Sequence, residues 1–122
     1  MEHLSGKRDD PATEALRELV DELDACLVEL DRARHRAADL LRQRESGVAW
    51  LDIVGRETRP LVVEQISRVL GSLSTAGHAW RREQAAALQA EDVSINRIAA
   101  LFGVTRQRIS TLLREPRDPA TD

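Results

Sequence analysis

Between Arg97 and Arg114 the chain gathers side chains suited to reading a polar surface rather than to breaking bonds. Thr105, Arg106, Gln107, Arg108, Ser110, Thr111 and Arg114 all carry hydrogen-bonding groups, and on a helix their spacing leaves Ile109, Leu112 and Leu113 for the inner side. The planar fork of arginine matches O6 and N7 of guanine, and a glutamine amide matches N6 and N7 of adenine. Arg106 and Gln107 therefore have the chemistry of base edges in a major groove. Thr105, Ser110 and Arg114 suit phosphate oxygens, Thr111 shares the outward face, and Arg108 and Arg97 flank it where backbone contacts are expected.

Catalysis has no comparable set of residues. His3, His35 and His78 lie far apart without metal-ligand spacing, and no glycine-rich phosphate loop is present. The single cysteine, Cys26, cannot form an intrachain disulfide and falls on an apolar stripe, which fits core packing in a reducing compartment. Trp50 and Trp80 read as core anchors. The expectation is a chain that is not an enzyme and carries no metal and no cofactor.

Something must hold the outward row in place. Ser94 is a good N-cap for a short helix, Gly103 sits where that helix must end in a left-handed conformation, and Thr105 caps the next helix. Ile98, Leu101, Phe102, Val104, Ile109 and Leu112 are expected to join the two helices, with Ala99 as the small residue where they cross. A preceding helix over 78–90, with Trp80, Ala87 and Leu88 inward, completes a tri-helical core. The run from Ile98 to Ser110, Ile-Ala-Ala-Leu-Phe-Gly-Val-Thr-Arg-Gln-Arg-Ile-Ser, resembles the helix-turn-helix of sigma-factor region 4 and of small bacterial regulators. The resemblance implies that the helix from Thr105 enters the major groove, with Arg106, Gln107 and Ser110 at reading positions. The rest of the chain is similar to small actinobacterial helix-turn-helix proteins, and lacks the other promoter-binding regions of a sigma factor.

The remaining residues read as helical scaffold, so the fold class is all-α: a long N-terminal heptad helix plus a C-terminal tri-helical helix-turn-helix. Strand signals are nearly absent. Leu16, Leu19, Leu23, Cys26, Leu30, Ala33, Ala37 and Leu40 recur at alternating spacings of three and four, with Val20, Leu27 and Leu41 widening the stripe. This predicts one helix over 13–46, about 50 Å long at 1.5 Å per residue. It packs on its own chain or, the favoured reading, pairs two copies through Leu16, Leu19, Leu23, Leu27 and Leu30. A short helix over 48–56 and a helix from Pro60 follow. The apolar set Val63, Ile66, Leu70 and Leu73 keeps its phase to Trp80, so either one helix runs over 60–90 or two meet at Ser74-Thr75-Ala76-Gly77. Gly71 and Gly77 would mark close helix approaches. The segments 1–12 and 116–122 read as disordered tails, 13–77 as the dimerisation region and 78–115 as the DNA-binding domain.

Net charge is −3 over 122 residues, but it is unevenly placed. Residues 1–58 carry 9 basic and 14 acidic side chains, whereas residues 80–117 carry 7 basic and 4 acidic ones. The basic end coincides with the outward polar row, which suits a polyanionic partner. The expected partners are double-stranded DNA and a second copy of the chain, with RNA polymerase or another regulator as a further partner. The alternative is a helical adaptor that binds proteins of the transcription machinery. No apolar run reaches membrane-spanning length, and a cytoplasmic, nucleoid-associated location is expected.

Overall fold

A computed structural model describes residues 10–116. These residues are helical and contain no strand: α1 (Pro11–Glu45), α2 (Trp50–Arg56), α3 (Val62–Ala90), α4 (Ile95–Phe102) and α5 (Arg106–Arg114). No helix among them is long and apolar enough to cross a membrane. The chain divides into two compact units, one of residues 19–76 and one of residues 1–18 with 77–122, so α1 and α3 each contribute to both.

α1 begins earlier than its periodicity predicts, because Asp10 caps it: the Thr13 N–H donates to Asp10 Oδ1 at 2.7 Å. That bond favours the ionised carboxylate and lowers the pKa of Asp10. Pro11 and Ala12 are therefore helical rather than part of a tail, and residues 1–9 and 117–122 lie outside the described residues. At the other end Ser46 and Gly47 close the helix, with Gly47 at φ +101°. α3 starts at Val62, after Pro60, because two carboxylates satisfy its first donors. The Leu61 N–H donates to Glu64 at 2.8 Å and the Val62 N–H to Glu57 at 2.7 Å. From there α3 runs unbroken through Ser74–Gly77.

In the unit of residues 19–76 the helical seam is small and polar. Cys26 Sγ lies 3.9 Å from the Val69 carbonyl, Gln65 donates to Glu29 at 3.1 Å, and Arg36 donates to Gln65 at 3.0 Å and to the Thr58 carbonyl at 2.6 Å. Falling numbers on α1 meet rising numbers on α3, so the two segments run antiparallel. Burial around Cys26, together with the hydrogen bond to Glu22, raises its thiol pKa. The single apolar stripe expected on α1 is in fact two. Cys26 and Ala33 are buried and Leu19 and Leu40 half-buried, while Leu16, Leu23, Leu27, Leu30 and Leu41 are exposed.

Other packing expectations need correction. Trp50 is 55% exposed, with the Arg44 guanidinium 5.2 Å from its ring centroid, and Ile53 alone of its short helix is buried. A helix of seven residues turns only one narrow face inward. Nor do Gly71 and Gly77 mark close approaches: a methyl group built on either meets nothing within 4 Å.

Candidate nucleic-acid interface

The polar row is carried by a core in the second unit. Ala85 of α3, Ile98 and Ala99 of α4, and Ile109 and Leu112 of α5 form one buried cluster, with Leu88, Val93, Ile95, Phe102 and Leu113 packed around it. Ile98 and Ile109 are fully buried, so α4 and α5 share a common dry contact. Trp80 and Ala87 are half-buried at its margin. Ala85 is the contributor that periodicity did not single out; its signal is its place three residues before Leu88, on the same helix face.

Each junction is built as its residue types dictate. The Ser94 side chain accepts from the Arg97 N–H at 3.1 Å, and the Thr105 side chain accepts from the Arg108 N–H at 3.1 Å. Gly103 stands between them at φ +70°, and the Val104 N–H donates back to the Ala99 carbonyl at 3.0 Å. This left-handed residue turns the chain sharply, so that only three residues separate the end of α4 from the start of α5. Leu101 and Val104 do not join the core as their apolar character suggested. They are 57% and 43% exposed, because Phe102 and Ile98 already fill the inward positions of a helix only eight residues long.

Thr105, Arg106, Gln107, Arg108, Thr111 and Arg114 are exposed, Ser110 is half-buried, and Arg97 is exposed on α4. Their neighbours sort the cations. Among the described residues the guanidinium groups of Arg97, Arg106 and Arg114 make no hydrogen bond or ion pair. Arg108 is partly engaged, since its charge helps to hold Glu115 ionised. Arg81 stacks over the Phe102 ring at 4.2 Å, and Arg82 donates to the Pro116 carbonyl at 2.9 Å while lying 3.6 Å from Glu83. Those two arginines serve the fold, and the outward row keeps the unpaired positive charge.

One pair was not foreseeable from sequence. His78 Nε2 lies 2.6 Å from Glu115, and since a carboxylate only accepts, Nε2 carries the proton. This hydrogen bond is the main reason the Glu115 pKa is lowered, against burial, which opposes it. It ties the residue that ends α5 to α3 across a separation of 37 residues that no local pattern encodes. No group of His, Cys, Asp and Glu able to hold a metal ion occurs among the described residues. No known protein family, characterised protein or solved structure matches the chain.

Proposed function

We propose that the chain is a sequence-specific duplex DNA-binding protein, a homodimeric transcriptional regulator in which α4, the Gly103 turn and α5 act as a helix-turn-helix. In this reading α5 lies in the major groove, Arg106 and Gln107 meet base edges, and Thr105, Ser110, Thr111 and Arg114 meet phosphates, with Arg97 and Arg108 flanking. The observation that supports it best is the outward row itself: exposed donors, two of its arginines unpaired among the described residues, on a short helix anchored by buried Ile109 and Leu112. Leucines of α1, exposed at Leu16, Leu23, Leu27 and Leu30, would join the two copies. The operator would then hold two related half-sites, with successive major-groove faces about 34 Å apart.

Selection of bound sites from a random duplex library tests the assignment. Arg106→Ala and Gln107→Ala should each relax preference at particular base pairs, by about 1–3 kcal/mol of discrimination. An unchanged preference in both variants would remove these side chains from base reading. The exposed Leu101 and Val104 at the turn favour a second reading, a protein-binding adaptor. A gel-shift titration on random duplex at low and moderate salt separates the two, because an adaptor binds no DNA at either.

A further inference from the structure

We propose that Leu23, Leu27 and Leu30 of α1 and Val63, Ile66 and Leu70 of α3 form one continuous apolar face of the unit 19–76, and that the same face of a second copy covers it as a four-helix bundle. This deepens the homodimer of the reading above by moving half of its seam onto α3, and it does not depend on DNA recognition.

Helix geometry places the two rows together. The α1 residues that meet α3 include Cys26 and Glu29, and the α3 residues that meet α1 are Gln65 and Val69. Leu27 and Leu30 each follow an inward α1 residue by one position, and Ile66 and Leu70 follow Gln65 and Val69 by one. One position is about 100° around a helix. Because the segments run antiparallel, equal rotations taken in each segment's own direction swing both rows to the same side of the pair. Leu23 and Val63 extend those rows by one turn or so, following Glu22 and Val62.

The buried core of this unit is also small. Its buried residues are Cys26, Ala33, Ile53, Val62, Gln65 and Val69, whereas Leu27, Val63 and Leu70 are 65%, 72% and 58% exposed. A helical unit of this size needs its large aliphatic side chains inside to be stable. The six side chains are between 36% and 72% exposed, a contiguous aliphatic set of the kind that the centre of a stable interface, roughly 800 Å² per partner, is built on. An isologous second copy brings an equally aliphatic face, and no charged side chain occupies the six positions.

Sedimentation of the full chain tests this with Leu27→Lys on α1, Leu70→Lys on α3 and, as control, Leu51→Lys on α2, where the leucine is 83% exposed. Wild type and control should sediment as two copies, and each face variant should weaken dimerisation by roughly 100-fold or more. A monomeric wild type at about 50 µM, well above the range of a stable interface, would overturn the proposal. So would a Leu70→Lys variant that dimerises like wild type while Leu27→Lys does not; the homodimer would then stand on α1 alone and the composite face would fall. Should the variants lose their helical circular dichroism, wild-type melting decides. The Tm should rise with protein concentration, and a Tm independent of it sinks the idea. DNA binding enters neither readout, so failure of the recognition reading is seen separately in the gel shift.

Discussion

Gly103 holds φ +70° with open space where a Cβ would stand, so the effect of substituting it is purely a backbone effect. Gly103→Ala should destabilise the C-terminal unit by about 1 kcal/mol in urea unfolding, with no rearrangement of neighbours. Thr105→Ala removes the acceptor for the Arg108 N–H and should cost about 1 kcal/mol, mostly regained in Thr105→Ser. A Thr105→Ala protein as stable as wild type would mean that water caps α5 equally well. Glu115 gives a prediction in pH rather than in denaturant. Its pKa is below its ordinary value near 4.5 in the folded chain. The unfolded chain therefore binds the proton first, so the contribution is fully present above about 4.5 and is lost as pH falls through the lowered folded value. A Glu115→Gln chain has no such loss, and its Tm should fall less steeply than wild type over that acid range. Parallel curves would show that the His78 bond adds nothing to stability.

At the scale of elements, what could be read from sequence is what depends on neighbours in the chain. Ser94, Gly103 and Thr105 announced two helix starts and one stop because capping is decided within three or four residues. The all-helical class followed from the same local signals. The inner and outer sides of α1 were not legible, because Leu19, Cys26 and Ala33 interleave with Leu16, Leu23 and Leu30 in one alternating three-four spacing. Hydrophobicity ranks the leucines first, yet the residues facing α3 are small or hydrogen-bonded, and Gln65, with partners in Arg36 and Glu29, is buried. Propensity also left the course of α3 open at Ser74–Gly77. The structure carries the helix through, as expected when each poor former costs only a few tenths of a kcal/mol to about 1 and long runs on both sides continue. Ser74→Pro should then cost about 3 kcal/mol or more and lower the helical signal at 222 nm. A small cost would instead place a helix break at that point.

For the whole molecule the useful quantity is the separation of charge, since an acidic chain that binds a polyanion must do so through a local excess of cations. Residues 80–117 hold that excess, and Arg81 and Arg82 are already engaged in stacking and in a hydrogen bond to backbone. On the proposed reading the cations left to face phosphates are few, and Arg114 is the clearest of them. Each phosphate neutralised by a cation adds about 0.9 to the slope of log K against log salt. If one copy binds DNA, Arg114→Gln should lower the magnitude of that slope by about one; if two joined copies bind, by about two, because both heads lose the contact. Sequence preference should stay the same, since a phosphate contact positions the helix without reading bases. The change in slope therefore counts the reading heads on the DNA. Combined with Leu70→Lys, it should fall from about two to about one if dimerisation and recognition are coupled as proposed. A slope unmoved by Arg114→Gln in either background would take Arg114 off the phosphates, whatever the state of assembly.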